Sequence, residues 1–190
     1  MRAAGLDVAA LTDHASIGGG VLGLTDPGRW TGAAPDRPRW YRSAVGMSDR
    51  GWRMAAGLAD AADDPGSFTA LRGFEWTHWV LGHVNVWLSS RWTNAVGPSG
   101  AGMSAFHRWL ARPAAAQLGG GADGLAGFNH PGRSLSRFGG FRCDPRVRDR
   151  VVSLEIFNRF DDYLFGGVGR AAPPRSHSAS TPAGAWGCWG

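Results

Sequence analysis

Three short apolar runs end at residues of the types that commonly serve as metal ligands. This feature most constrains how the chain can fold. The first run ends at Asp13 and His14, the second at Glu75 and the third at His130. Runs of this length are typical of buried strands, and parallel α/β folds collect their functional groups at the carboxyl ends of the strands. If these strands are neighbours in a sheet, the four side chains meet at one edge of it.

His83 fits the same arrangement. Seven residues separate it from Glu75, and residues 83–88 alternate the apolar Val84, Val86 and Leu88 with His83, Asn85 and Trp87. The alternation predicts a strand with one apolar face and with His83 on the other face. A hairpin-like turn between the two strands would return His83 to the edge that carries Glu75.

The remaining elements follow from periodicity and from local start and stop signals. Residues 48–62 predict a helix with Ser48 as its N-cap and Asp49 in its first turn. We also predict strands over residues 8–11, 68–74, 125–128 and 151–157, and one or two short helices within 103–118 that Pro113 interrupts. Alternating strands and helices favour an α/β architecture.

The length of 190 residues favours one main domain. Residues 15–47 are glycine- and proline-rich and are interpreted as a long connection. Residues 166–190 have the composition of a low-complexity tail, which we predict to be disordered. Cys143 and Cys188 are widely separated, so the sequence predicts neither a disulfide framework nor a CxxC zinc site.

All 20 basic residues are arginines, and the formal net charge is +5. Such a charge favours anions through nonspecific electrostatics. The arginines are scattered, however, and form no recognisable recognition module with the tryptophans, so nucleic-acid binding is a minor alternative. No segment has about 18 consecutive apolar residues and no signal sequence is recognisable, which predicts a cytoplasmic protein without a membrane partner.

Histidine nitrogens and carboxylate oxygens suit zinc, manganese or iron, and a carboxylate can bridge two cations. The chain has only two glutamates, Glu75 and Glu155, and both lie in or beside apolar strand candidates. Glu75 is therefore the candidate for a bridging ligand. A histidine considered alone is more often an ordinary buried or surface residue. We keep that ordinary interpretation for His78, in a loop, and for His107, in a predicted helix.

The ordered motifs resemble those of the PHP (polymerase and histidinol phosphatase) metallohydrolases. Residues 6–14 read LDVAALTDH and are similar to the second motif of that family. Residues 73–77 (GFEWT) with 82–86 (GHVNV) resemble its third motif, residues 129–131 (NHP) its fourth, and residues 153–158 (SLEIFN) the strand that follows. The resemblance covers roughly residues 3–160, and motifs in one order and spacing are more specific than any one alone.

The resemblance implies that residues 1–165 form an incomplete, distorted (β/α)7 barrel with two or three divalent metal ions at the carboxyl ends of its strands. Carried over by position, His14 would bind one metal, Glu75 would bridge two, and His83 and His130 would complete the second. Most members of the family are phosphoesterases. The implied reaction is attack by metal-activated water on a small-molecule phosphate ester or a related ester.

Further residues take roles from their positions beside these motifs. Asp13 is a candidate catalytic residue together with Glu75, or it orients His14. Glu155 and Asn158 are candidates for the lining of the substrate pocket, although Glu155 could equally satisfy a buried hydrogen bond. Arg133 could bind a substrate anion through paired hydrogen bonds, or it could be a surface residue.

The chain departs from the family at both ends. The His-x-His motif that opens the family's first strand and the Asp-x-His motif that closes the site are both missing from this sequence. We therefore expect a chain truncated at its start and altered at its end. A metal-dependent phosphoesterase is the leading hypothesis. The alternatives are a catalytically inactive remnant with weak metal or partner binding and an arginine-rich nucleic-acid-binding protein.

Overall fold

A computed structural model shows a mixed α/β fold built on a five-stranded sheet, as the sequence predicts at this level. The structure describes residues 4–15, 47–78, 80–95, 100–130, 137–142, 144–155, 157–158 and 161–162. Within these residues the sheet is open, with β1 (Val8–Ala15) at one edge and β5 (Val151–Leu154) at the other.

The strands lie in the sheet in the order in which they occur in the chain. Between the two edges are β2 (Thr69–His78), β3 (Gly82–Trp87) and β4 (Leu125–Asn129). β1 is parallel to β2 and β4 is parallel to β5, whereas β3 is antiparallel to both of its neighbours. The strands β1, β2, β4 and β5 therefore all finish at the end of the sheet where β3 begins. A separate pair of two-residue strands follows, β6 (Phe157–Asn158) and β7 (Asp161–Asp162).

Two α-helices pack against the sheet. In α1 (Asp49–Ala62), Ser48 is the N-cap as predicted, and its side chain accepts a hydrogen bond from the Gly51 amide at 3.1 Å. The second helix, α2, spans Met103–Ala111. No helix in the described part of the chain is long and apolar enough to cross a membrane.

Two shorter segments connect the last strands. Arg137–Phe141 is a tight turn in which Phe138, Gly139 and Gly140 adopt left-handed backbone angles. Pro145–Val147 is a 3-10 helix capped by the Asp144 side chain, which accepts a hydrogen bond from the Arg146 amide at 3.1 Å.

The sheet has two chemically different faces because side chains alternate along each strand. The helices cover the face that carries Phe74 and Trp76: Trp52 of α1 contacts Phe74 with 5.7 Å between ring centroids, and Phe106 of α2 contacts Trp76 at 4.9 Å. Val84, Val86, Ala126 and Phe128 complete this apolar core layer. The opposite face, here called the site face, carries the polar side chains that the sequence singled out.

Several predicted boundaries are wrong. β1 continues through His14 and β2 through Glu75, because the two strands pair in register as far as Ala15 and Trp76. The strand predicted over residues 151–157 ends at Leu154. Of the one or two helices predicted within 103–118, one forms, and the chain after Pro113 forms turns. The connection at 16–46 and the tail at 166–190 lie outside the described residues.

Candidate metal centre

Cross-strand register brings the predicted ligands into two adjacent rows on the site face. His14 pairs with Glu75 across β1 and β2, and Glu75 pairs with Asn85 across β2 and β3. In the next row, at the end of the sheet, His83 pairs with Asn129 across β3 and β4. The predicted ligands therefore come together because their strands are neighbours. The hairpin between β2 and β3 returns His83 to the end of the sheet that carries Glu75.

The Glu75 carboxylate lies at the centre of the cluster and is 9% exposed. Its Oε2 contacts Nδ1 of His14. Its Oε1 lies 3.4 Å from Nδ1 of His83 and 3.5 Å from Nε2 of His130. The imidazole rings of His83 and His130 are themselves in edge contact, 4.6 Å between centroids. One carboxylate thus faces one histidine with one oxygen and two histidines with the other.

The electrostatics of the cluster favour an ionised glutamate. Burial alone would raise the pKa of Glu75, but the surrounding histidines and the Asn129 amide outweigh burial and hold that pKa well below its usual range. The hydrogen bond to Glu75 raises the pKa of His14, against the opposing effect of burial. A cation that binds between His14 and Glu75 would replace the proton of this hydrogen bond.

The residues present fit a metal ion. Within the described residues, His14, Glu75 and His83 offer ligand atoms that all lie within 4.8 Å of one another, so this cluster could hold a metal ion. Nδ1 of His130 is buried and makes no hydrogen bond within the described residues, and Nδ1 of His83, also buried, has the 3.4 Å contact with Oε1 of Glu75. Buried polar atoms normally have partners. Imidazole nitrogens and a carboxylate are also the ligands that transition metals prefer.

Three polar partners of the cluster were not assigned a role from the sequence. Thr77 lies 2.9 Å from Nδ1 of His14 and donates its own hydroxyl hydrogen to the Glu75 carbonyl. Asn129 donates to Oε1 of Glu75 at 2.8 Å, and Asn85 donates to Oδ1 of Asn129 at 3.0 Å. The alternation of side chains along a strand could have indicated two of them, because Thr77 lies two residues beyond Glu75 and Asn85 lies two residues beyond His83, on the same face.

Glu155 contacts the backbone of the cluster. Its Oε2 accepts a hydrogen bond from the His130 amide at 2.5 Å, and its own amide donates to the Phe128 carbonyl at 2.8 Å. His130 has a φ of +30°, outside the regions that most side chains prefer. Glu155 therefore holds the backbone of His130, which agrees with the alternative that it satisfies a buried hydrogen bond.

The structure does not bring the other predicted site residues into the cluster. Asp13 is exposed and, next to His14 in β1, lies on the opposite face of the sheet. Arg133 lies outside the described residues. Asn158 is described only through its backbone in β6, which pairs with β7 rather than with the main sheet.

The two histidines given an ordinary interpretation have structural contacts. Nδ1 of His78 accepts hydrogen bonds from the amides of Val80 and Leu81 at 3.2 and 3.1 Å, which closes the turn between β2 and β3. His107 is buried in α2, and its Nδ1 lies 3.5 Å from Oδ2 of Asp144. Burial lowers the pKa of His107, against the opposing effect of Asp144.

Trp87 lies on the site face in the row next to that of Glu75 and Asn85, away from the strand ends. A Cβ on Gly73 would lie 3.1 Å from Cδ1 of Trp87, and a Cβ on Gly127 would lie 2.6 Å from its Cη2. The two glycines therefore leave the space that the indole ring needs on neighbouring strands.

Comparisons with protein-family models, with curated protein sequences and with solved structures found no match to this chain. The interpretation of the site therefore depends on its residues and their geometry. These define a histidine and glutamate cluster at the carboxyl edge of an open α/β sheet, three of whose members could hold a metal ion.

Proposed function

We propose that this chain is a metal-dependent hydrolase, and specifically a phosphoesterase, with divalent cations bound by His14, Glu75, His83 and His130. The observation that carries the proposal is the division of the Glu75 carboxylate, whose Oε2 faces His14 while its Oε1 faces His83 and His130. A carboxylate that offers one oxygen to each of two ligand sets suits a pair of cations. Zinc, manganese and iron are the metals that fit these ligands.

Bound divalent cations would neutralise charge on a phosphate ester and activate water at neutral pH. The chain itself contributes three things to such a reaction. Glu75 remains ionised because its low pKa keeps it charged among the histidines. The Trp87 indole adds an apolar surface on the site face in the row next to Glu75. The His14 side chain is 42% exposed, so the cluster is accessible to a small substrate from above.

We extend the proposal to the fold, as part of a PHP-type barrel. Two features support it: β1, β2, β4 and β5 run in one direction, and both helices cover the face opposite the ligands. In a closed barrel the site face would become the interior, and the ligands would lie at its carboxyl end. Closure would require strands in addition to the five of this sheet.

The proposal is tested by measuring metal content and turnover on the same preparation. We expect two or more manganese or zinc ions per chain by mass spectrometry after unbound metal is removed, and hydrolysis of p-nitrophenyl phosphate. Glu75→Ala should lose both the bound metal and the turnover. His107→Gln is the matched control, because His107 is a buried histidine outside the cluster, and it should retain both.

Two results would contradict the proposal. Less than one metal per chain with no turnover would mean that the cluster is not a metal centre. Stoichiometric metal without turnover on phosphate esters would mean that the chain binds metal but is not a phosphoesterase.

A further inference from the structure

We propose that Asn85 and Asn129 act as a positioning pair that fixes the rotation of the Glu75 carboxylate, so that its two oxygens face different histidines. The inference rests on the proposed metal centre and names residues that hold it in shape without touching a cation. It starts from a chain of two hydrogen bonds, from Asn85 to Asn129 and from Asn129 to Glu75.

The two amides lie on the same face of the sheet as the proposed ligands. Asn85 is the register partner of Glu75, and Asn129 is the register partner of His83. Both therefore lie on the site face, Asn85 beside Glu75 and Asn129 beside His83. Because the strand pairing fixes their backbones, little freedom is left beyond the rotation of the side chains themselves.

The two hydrogen bonds have a defined direction. An asparagine amide has a donor end and an acceptor end that differ little in shape. Asn85 donates to Oδ1 of Asn129 at 3.0 Å, which turns the NH2 group of Asn129 toward Oε1 of Glu75 at 2.8 Å. With the amide of Asn129 reversed, its oxygen would face the carboxylate and repel it. Asn85 therefore favours the same orientation of the Asn129 amide that the acceptor-only Glu75 carboxylate requires.

These hydrogen bonds act on Glu75. Its Oε1 accepts from Asn129 and is thereby held within 3.4 Å of His83 and 3.5 Å of His130. The other oxygen is then directed at His14. Without the donor from Asn129, Oε1 would keep its contacts with His83 and His130, which are themselves proposed metal ligands, and would lose the hydrogen bond that it receives from outside the ligand set.

The test is Asn85→Asp. The chain of two hydrogen bonds from Asn85 through Asn129 to Glu75, here called the relay, and the added negative charge predict opposite results for this variant. The new carboxylate cannot donate to Asn129; it would accept from the NH2 group of Asn129 instead and so reverse that amide. The relay predicts that cobalt binding weakens by about 10- to 100-fold, the usual effect of altering residues that orient metal ligands. Charge alone predicts tighter binding, since a negative group is added near a cation.

The measurement is titration of the metal-free chain with Co²⁺, followed by the visible absorption bands of the bound ion. Asn129→Ala, which removes the donor directly, should weaken binding at least as much and alter the band shape. The double variant Asn85→Asp with Asn129→Ala should be no weaker than Asn129→Ala alone, because both changes act through one hydrogen bond. Asn94→Ala, an asparagine outside the cluster, is the matched control and should bind as the unaltered chain does.

The outcomes separate this inference from the proposed function. If the unaltered chain binds no cobalt, the metal centre and the relay both fail. If it binds cobalt and Asn85→Asp binds it as tightly or more tightly, only the relay is overturned. Thermal unfolding of each metal-free variant is the second readout. Weaker binding that merely parallels a lower unfolding temperature would also overturn the relay, whereas weaker binding at an unchanged temperature supports it. If Asn85→Asp does not fold, the Asn129→Ala result decides.

Discussion

Gly127 lies at a point on the site face where the sheet has no room for a side chain. A Cβ there would overlap Oγ of Ser153 on one neighbouring strand and would lie 2.6 Å from Cη2 of Trp87 on the other. Glycine in a strand usually weakens it, so a strand glycine often marks a close approach of another group. At this position the approaching groups are the Ser153 hydroxyl and the Trp87 indole.

We expect Gly127→Ala to lower the free energy of unfolding by about 1–3 kcal/mol, the usual cost of forcing extra atoms into a packed site. Gly57→Ala is the matched control. Gly57 is exposed within α1 with no atom within 4 Å of an added Cβ, so alanine should raise stability there by about 0.5–1 kcal/mol. Urea denaturation of the two variants measures both changes. A Gly127→Ala chain as stable as the unaltered one would show that the Ser153 hydroxyl and the Trp87 ring move aside at little cost.

At the scale of the residue, the sequence singled out the histidines and the glutamate of the cluster but not their polar partners. His14, Glu75 and His83 were recognisable because histidine and glutamate are uncommon beside apolar strands. The roles of Asn85 and Asn129 depend on register, since one is opposite Glu75 and the other is opposite His83. Register depends on contacts between distant segments, which no local pattern specifies.

Helix α1 is an element that its own sequence largely specifies. Ser48 satisfies the Gly51 amide at its start, Asp49 lies in the first turn, and Trp52 and Ala55 are buried against the sheet. These signals act over a few residues, so the predicted helix agrees closely with the observed Asp49–Ala62.

We expect Ser48→Ala to lower the free energy of unfolding by about 1 kcal/mol, because the Gly51 amide loses its acceptor. Ser48→Asp should restore most of the loss, since aspartate is an equally good N-cap. Ser104→Ala is the control: Ser104 is an exposed residue of α2 that is not its N-cap, and its replacement should change stability by less than about 0.5 kcal/mol. If Ser48→Ala costs no more than Ser104→Ala in thermal or urea unfolding, the cap is not stabilising.

Strand β2 shows why other element boundaries could not be predicted. Its apolar run suggested an end at Phe74, but the strand continues to His78 because it pairs with β1 on one side and with β3 on the other. The strand ends where its last pair, His78 with Gly82, closes the hairpin. The end of a strand therefore depends on its neighbours, whereas the start of α1 depends on a local cap.

At the scale of the whole molecule, the cluster draws its members from β1, β2, β3 and the residue that follows β4. A cation held there would connect four consecutive strands of an open sheet. The α/β class and the convergence of the ligands were predictable from the order of strands and helices. Whether the sheet continues into a barrel was predicted only from the family resemblance, and it remains part of the proposal.

We expect manganese or zinc to stabilise the whole fold. Free metal at about 100 times its dissociation constant adds about 2.7 kcal/mol to the free energy of unfolding, which should raise the midpoint temperature by about 5–10 °C. A chelator should reverse the rise. His107→Gln should show the same rise as the unaltered chain, and Glu75→Ala should show almost none. A rise in Glu75→Ala as large as in the unaltered chain would place the bound metal elsewhere.

The connectivity of the strands also sets an order for assembly of the cluster during folding. Glu75 and His83 lie on the two arms of one hairpin, so a short loop closure brings them together. His14 and His130 join only when β1 and β4 dock from distant parts of the chain, and such non-local pairing is slow. During refolding, a cation would therefore meet a two-ligand hairpin before it meets the finished cluster. Weak early capture should precede tight binding, and the slow phase of metal uptake should follow the rate at which β1 and β4 dock.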